Sequence, residues 1–156
     1  MHSISWIAIA TIGLCGALTT PADATPSMTV NKAVIVDGRY AQHGAAQCEG
    51  VFFCDITFDH VPAGKTLTVT RVTCGTYVNT TQGMIYVFFK LHDPNQNWVD
   101  HLTVIKTGFF DNNHAFTSND ALNHVFKSGQ RPVISTAIVE TFNRHNIDCT
   151  VSGTVE

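Results

Sequence analysis

Alternation of apolar and polar residues marks the clearest strand of the chain, between Phe52 and Phe58. The apolar parity holds Phe52, Cys54, Ile56 and Phe58, and polar residues such as Asp55 and Thr57 stand between them. A period of two over this length is typical of a strand with one face in the core. The turn-forming residues 61–65 predict where this strand ends.

A second strand is predicted at residues 66–74, and its pattern changes halfway. The apolar positions are odd-numbered up to Val69 and even-numbered from Val72. Since a regular strand keeps one parity on one face, we expect a bulge or a bend near Thr70 and Arg71. Such a bend is also used where a strand passes from one sheet to another.

Further strands are predicted where β-branched and aromatic residues lie between turn-forming segments. These stretches are Val34–Val36, Met84–Leu91, Trp98–Lys106, Pro132–Thr141 and Ile147–Val155. Residues 108–113 are interpreted as a break. Residues 114–127 are interpreted as a loop with a short strand or a single helical turn, because Ser118 to Asp120 is typical of a helix cap.

The resulting pattern of about eight short strands at roughly ten-residue spacing favours an all-β fold of antiparallel strands. We expect a disulfide-stapled β-sandwich or jelly-roll, with an up-and-down barrel as the alternative. Residues 84–91 are apolar on both parities. This indicates a central strand covered on both sides or a strand with an apolar outer patch.

The first 24 residues have the pattern of an export signal. An apolar run from Ile4 to Leu18 is followed by small residues at Ala22 and Ala24, which is typical of a signal-peptidase site. The run is shorter than the roughly 20 residues that cross a bilayer. The sequence therefore predicts a signal peptide at 1–24, a single β-sandwich domain at 25–156, and a secreted or periplasmic protein without a membrane span after signal removal.

Charge and motifs narrow the possible functions. The chain has 9 Lys and Arg against 12 Asp and Glu, a net charge of −3, and no basic cluster. We therefore expect neither nucleic acid nor an anionic membrane as a partner. No GxSxG or HExxH motif is present, and Ser128, Ser135 and Ser152 have no base nearby in the sequence. We assign no catalytic residue and no cofactor, and interpret the chain as non-enzymatic.

Four cysteines remain after the predicted signal, which favours disulfides in an oxidising compartment. They are Cys48, Cys54, Cys74 and Cys149, and they allow three connectivities. A turn between Cys48 and Cys54 would bring these two together, and Cys74 with Cys149 would tie an early strand to the last one. The competing pair is Cys54 with Cys149, because both lie on the apolar parity of their strands.

Several short motifs, spread over most of the mature chain, resemble a family of small, exported, uncharacterised bacterial proteins. They are Val61-Pro62-Ala63-Gly64-Lys65 between Phe58 and the Leu67, Val69, Val72 and Cys74 series, then Gly129-Gln130-Arg131-Pro132, and finally Cys149-Thr150-Val151-Ser152-Gly153. The resemblance implies a secreted β-sandwich and carries over no catalytic residue. It also implies Cys74 with Cys149 as the typical pair, with Cys48 and Cys54 as an additional one.

Aromatic and amide residues around one predicted turn suggest a ligand-binding surface. Tyr86, Phe88 and Trp98 are candidates for an exposed platform that stacks on sugar rings, and Asn95, Gln96 and Asn97 are candidates for hydrogen bonds to hydroxyl groups. The alternative is that these aromatic residues are buried in the sandwich or at its edge.

Two metal-binding hypotheses also arise from the sequence. Asp111, Asn113 and Asp120 offer the oxygen ligands that calcium prefers, although Asn and Asp runs are also ordinary turn formers. Seven histidines follow the predicted signal, at positions 43, 60, 92, 101, 114, 124 and 145. A zinc or copper site would need several of them to converge; the alternative, which we expect, is surface histidines near strand ends.

We therefore expect a binding or surface-associated module. Its partner would be an extracellular glycan or protein, bound by the loops at 92–98 and 108–124. The first alternative is a structural or adhesive protein that self-associates through its edge strands. The second is a small metal-dependent hydrolase.

Overall fold

The chain forms eleven strands in this computed structural model, which describes residues 26–79, 87–95, 99–110, 113–138 and 144–156. The strands are β1 (Ser27–Val30), β2 (Val34–Val36), β3 (Arg39–Glu49), β4 (Phe53–Thr57), β5 (Thr66–Asn79), β6 (Val87–His92), β7 (Val99–Leu102), β8 (Ile105–Phe110), β9 (Asn113–Lys127), β10 (Val133–Ile138) and β11 (Arg144–Val155). The expected all-β, antiparallel fold is confirmed. However, β3, β5, β9 and β11 are much longer than the short strands we expected.

The strands belong to two antiparallel sheets. The seven-stranded sheet has the order β1-β3-β11-β5-β9-β8, and β2 also pairs with β3. The four-stranded sheet has the order β4-β10-β6-β7. Buried residues from both sheets, including Leu67 and Phe126 from one and Phe89 and Ile134 from the other, form a common hydrophobic core. Two separate sheets around such a core give a sandwich-like fold, not a closed barrel.

Gly44 allows the two sheets to approach each other closely. A Cβ atom added at this residue of β3 would lie 2.5 Å from Ile56 Cγ2 of β4, well inside van der Waals contact. Ile56 is fully buried. The inner face of the seven-stranded sheet is therefore filled up to the backbone at this point.

The predicted irregularity in β5 is present as a β-bulge. Pairing of β5 with β9 shifts between Val69 and Arg71, and pairing with β11 shifts between Ser152 and Gly153. The strand stays in one sheet. Gly153 fits this bulge because any Cβ atom there would overlap the Thr68 carbonyl group.

Two other regions differ from the sequence interpretation. Residues 113–127 form the longest strand, β9, and not a loop or a helical turn. The segment interpreted as one strand at Trp98–Lys106 is divided between β7 of the four-stranded sheet and β8 of the seven-stranded sheet. Gly108 also lies within β8 and does not break it.

Two disulfides connect parts of this fold. Cys74 and Cys149 are directly opposite each other on β5 and β11 and are bonded within the seven-stranded sheet. Cys48 of β3 is bonded to Cys54 of β4, and so joins the two sheets. The alternative pair, Cys54 with Cys149, is not formed.

The two disulfides are compatible with an extracellular or periplasmic location. Among the described residues, no helix is long and apolar enough to cross a membrane. The predicted signal peptide at 1–24 lies outside the described residues.

Candidate ligand-binding face

The outer face of the seven-stranded sheet carries one continuous row of aligned residues. Strand register places Gln47 beside Asn146, Asn146 beside Tyr77, Tyr77 beside Ala115, and Ala115 beside Gly108. These residues come from five strands and all point away from the core, because side chains alternate between the two faces of a sheet. Only the packing register brings them together, since they are distant in sequence.

Tyr77 projects from the middle of this row. Its inward-facing neighbours on β5, Thr76 and Val78, are buried, whereas the Tyr77 side chain is 60% exposed. Small residues surround it: Ala115 lies beside it, and Gly75 is the next outward-facing residue on β5. A Cβ atom added at Gly75 would meet nothing within 4 Å. The tyrosine ring therefore extends beyond neighbouring residues that have a small side chain or none.

Three clefts surround Tyr77, with volumes of about 450, 360 and 460 Å³. Tyr77 and Asn146 line all three. The first extends to Arg144, the second to Asp148 and the third to Phe109. Each has a volume in the range of small-molecule sites, and together they form one surface divided by the tyrosine ring.

Hydrogen bonds hold two charged groups beside this surface. The Arg144 Nη2 atom donates to Gln47 Oε1 over 2.6 Å, and His43 Nε2 lies 3.0 Å from Asp148 Oδ2. These contacts restrain side chains that would otherwise lose rotamer freedom when a ligand binds. Asn146 is exposed beside Tyr77, which puts its amide within reach of a ligand.

This combination of groups suits a polyhydroxylated ring. An aromatic ring offers an apolar face to C–H groups. An amide side chain carries both donors and an acceptor, and so matches hydroxyl groups, which also do both. We refer to Tyr77, Gly75, Ala115, Asn146, Arg144 and Asp148 as the Tyr77 face.

Of the aromatic platform expected at the β6–β7 turn, Phe88 lies within the described residues and is 47% exposed on β6. Tyr86, Asn97 and Trp98 lie outside the described residues, and their proposed role stays a prediction. Asn95 is exposed in this turn, and its backbone N–H donates to Asp93 Oδ1 over 3.0 Å. This contact is typical of a turn that an Asp side chain stabilises.

Two of the three candidate calcium ligands, Asn113 and Asp120, are not brought together. Asn113 and Asp120 lie seven positions apart on β9, so they point to opposite faces and are separated by roughly 23 Å along the strand. Asp120 Oδ2 already accepts hydrogen bonds from the Thr103 backbone N–H and the Ser118 hydroxyl group. Asn113 accepts one from Asn79, and Asp111 lies outside the described residues.

Ser135 has a base beside it, contrary to the sequence interpretation. Its Oγ atom lies 2.9 Å from His92 Nε2 on the neighbouring strand. A nucleophile and base of this kind need a third group that orients the base. Among the described residues, no carboxylate contacts His92.

Two histidines are buried, and the expectation of surface positions is wrong for them. His114 packs against the Phe109 ring at 4.6 Å, and His145 lies in the core. Burial, together with the nearby Lys106 charge, lowers the pKa of His114. His124 lies 2.7 Å from Asp100, which joins β9 to β7. These histidines contribute to packing and to contacts between the sheets.

Comparison with known proteins gives no further guide to this site. No family model, curated protein or solved structure matches the chain. The resemblance to exported bacterial proteins therefore stays a prediction, and a function has to be argued from the geometry of the Tyr77 face. Tyr77 was not predicted from the sequence, although it shares the outward-facing parity of Gly75 on β5.

Proposed function

We propose that this protein is an exported, non-enzymatic binding module whose Tyr77 face binds a carbohydrate. The observation that carries the proposal is the exposed Tyr77 ring at the junction of three clefts. A pyranose ring would pack on the tyrosine, and its hydroxyl groups would pair with Asn146 and the neighbouring polar groups. The binding site would thus lie on a sheet face and not on the strand-end loops.

Binding is favoured over hydrolysis by the groups that line the clefts. Among the described lining residues, the carboxylate is that of Asp148, and it is already within 3.0 Å of His43. Hydrolysis of a glycosidic bond ordinarily uses two carboxyl groups on either side of the bond. Tyr77 and the amides supply recognition without such a pair.

Export is supported by two independent features of the chain. The first 24 residues have the pattern of a signal peptide, and two disulfides join the strands. Structural disulfides persist in oxidising compartments such as the periplasm and the extracellular space. A carbohydrate partner in the same compartment is consistent with this location.

The test is a glycan array followed by calorimetric titration with the best ligand. We expect Tyr77→Ala to weaken binding at least tenfold and Tyr77→Phe to retain most of it, because the ring face is preserved. Phe53→Ala is the matched control, since Phe53 is also an exposed aromatic residue but lies on the other sheet. A Trp98→Ala variant separates this proposal from a site at the β6–β7 turn.

Three results would count against the Tyr77 face. The first is a glycan array on which the protein binds no glycan. The second is equal binding by the wild type and Tyr77→Ala, and the third is a loss of binding confined to Trp98→Ala. Circular dichroism of each variant shows whether a loss reflects the site or the fold.

Self-association is a second candidate function, and one edge strand favours it. β8 is the last strand of the seven-stranded sheet, and Ile105 and Phe109 on it are 58% and 61% exposed. An edge strand with exposed apolar residues is a template for pairing with another chain. Sedimentation velocity over a wide concentration range tests this function. We expect oligomers that Ile105→Lys reduces, and a monomer at all concentrations would contradict it.

A further inference from the structure

A second cluster of reactive side chains lies inside the sandwich. Cys48, Cys54 and His145 each offer one ligand atom, and these three atoms all lie within 4.8 Å of one another. The three residues are at most 2% exposed. The cluster lies on the opposite face of the seven-stranded sheet from the Tyr77 face, since all three residues are buried in the core.

The fold itself fixes this arrangement. His145 of β11 and Cys48 of β3 are directly opposite each other in the seven-stranded sheet, so their inward-facing side chains are neighbours. Cys54 lies on β4 of the other sheet. Thr136 is opposite Cys54 on β10, and its buried Oγ1 atom has no hydrogen-bond partner among the described residues.

We propose that Cys48, Cys54 and His145 form a zinc-binding site when the Cys48–Cys54 disulfide is reduced. A dithiol reductant supplies two electrons and two protons: the Sγ–Sγ bond breaks, two thiols form, and the reductant becomes a disulfide. Zinc then displaces the two thiol protons to solvent. Disulfide and metal are therefore alternative states of one cluster, because a sulfur in the disulfide is not a thiolate ligand.

Charge and distance both favour zinc. Two thiolates and a neutral imidazole balance the charge of Zn²⁺ to zero, which matters because an uncompensated charge is costly in a buried site. Zn–S distances of about 2.3 Å and Zn–N distances of about 2.0 Å fit ligand atoms that are mutually within 4.8 Å. A water molecule completes a tetrahedral set, and the Thr136 hydroxyl group is beside Cys54 to donate to a thiolate.

The other disulfide provides an internal control. Cys74 and Cys149 are also buried and opposite each other. Among the described residues, however, three such ligand atoms lie close enough for one ion at Cys48, Cys54 and His145, and not at Cys74 and Cys149. Two thiols without a third ligand make a much poorer zinc site.

The experiment compares two full-length variants that both carry Cys15→Ala, so that each has two thiols. Cys74→Ala/Cys149→Ala keeps the cluster, and Cys48→Ala/Cys54→Ala keeps only the other pair. Each is reduced with dithiothreitol, desalted without oxygen, and titrated with Co²⁺ and then Zn²⁺. We expect the first variant to bind one equivalent of Co²⁺ with a thiolate charge-transfer band that Zn²⁺ abolishes, and the second to show no such band. Adding His145→Phe to the first should weaken binding at least tenfold.

Equal bands in the two variants, or no band in a folded first variant, would overturn the proposal. If the first variant does not fold, the wild type gives the answer. One equivalent of Zn²⁺ should slow the reoxidation of Cys48–Cys54 at least tenfold in reduced wild type and leave that of Cys74–Cys149 little changed, as followed by peptide mapping. Reoxidation of both pairs at rates unaffected by zinc would also overturn it.

Discussion

Gly44 and Gly75 lie on opposite faces of the seven-stranded sheet, and the space in front of them differs. A Cβ atom at Gly44 would lie 2.5 Å from Ile56, whereas one at Gly75 would meet nothing within 4 Å. Neither residue has a positive φ, so backbone strain does not explain either glycine. Gly44 is needed because the second sheet is close, and Gly75 leaves space beside Tyr77. The inner face is therefore sensitive to added volume, and the outer face tolerates it.

Polar side chains on the two faces show the same contrast. On the inner face, Gln42 Oε1 accepts hydrogen bonds from the Tyr40 hydroxyl group and the Asp59 backbone N–H, and Gln42 Nε2 donates to the Asn31 carbonyl group. Such an amide, in which both polar atoms have partners, serves the fold. On the outer face, Asn146 is exposed beside Tyr77. Stability and binding should thus respond to different residues.

The largest effect should come from the Cys74–Cys149 disulfide, which lies on the inner face. In the chain-entropy model, a closed loop of about 76 residues contributes roughly 4.5 kcal/mol and one of about 7 residues roughly 2.4 kcal/mol. We therefore expect Cys74→Ala/Cys149→Ala to lower the free energy of unfolding by about 4 kcal/mol. Guanidinium titration of oxidised protein measures this loss. A larger loss in Cys48→Ala/Cys54→Ala would show that joining the two sheets matters more than loop length.

The next effect should separate the two glycines. We expect Gly44→Ala to lower the free energy of unfolding by about 1 to 3 kcal/mol, because the methyl group has to displace Ile56. Gly75→Ala should change it by less than about 0.5 kcal/mol, as surface substitutions usually do. Thermal and guanidinium unfolding give both values. Equal losses would mean that the two faces do not differ in the way proposed.

Filling the outer face should then reduce binding without weakening the fold. Gly75→Val places a branched side chain in the open space beside Tyr77, and β-branched residues suit exposed strands. We expect at least a tenfold lower affinity for the carbohydrate selected on the array, with an unchanged or higher melting temperature. Thr73→Val on the same face of β5 is the control. Unchanged affinity in Gly75→Val would place the ligand elsewhere.

The sequence was informative where apolar residues mark the inner face. Alternation identified β4, and the change of parity at Val69 and Val72 located the bulge in β5. It failed in β9, whose inward positions include His114, Ser118, Asp120 and His124, because polar residues there hide the period of two. In the folded protein, hydrogen bonds and ring contacts stabilise those residues. Such contacts cannot be predicted from a local sequence pattern.

The same limit explains why the candidate site was not predicted from the sequence. Tyr77, Asn146 and Ala115 become neighbours only through the register of three strands, and register depends on tertiary packing. A sequence shows clusters of residues that are close along the chain, and Asn95, Asn97 and Trp98 form such a cluster. β3 was missed for a related reason: its inward residues, such as Gln42 and Gly44, are polar or small.

The smallest expected effect is a pH dependence of the free energy of unfolding that arises from His114, a buried residue near the start of β9. Burial lowers the pKa of His114 below its ordinary value of 6.5, so the unfolded chain takes up a proton at a higher pH than the folded protein does. The stability linked to His114 is complete above the unfolded pKa and is lost as the pH falls below it. We expect the free energy of unfolding of the wild type to decrease more steeply between about pH 7 and pH 5 than that of His114→Asn, whose amide does not titrate. Because the other histidines are common to both proteins, the difference between the two curves isolates His114, and parallel curves would show that its burial has no energetic consequence in this range.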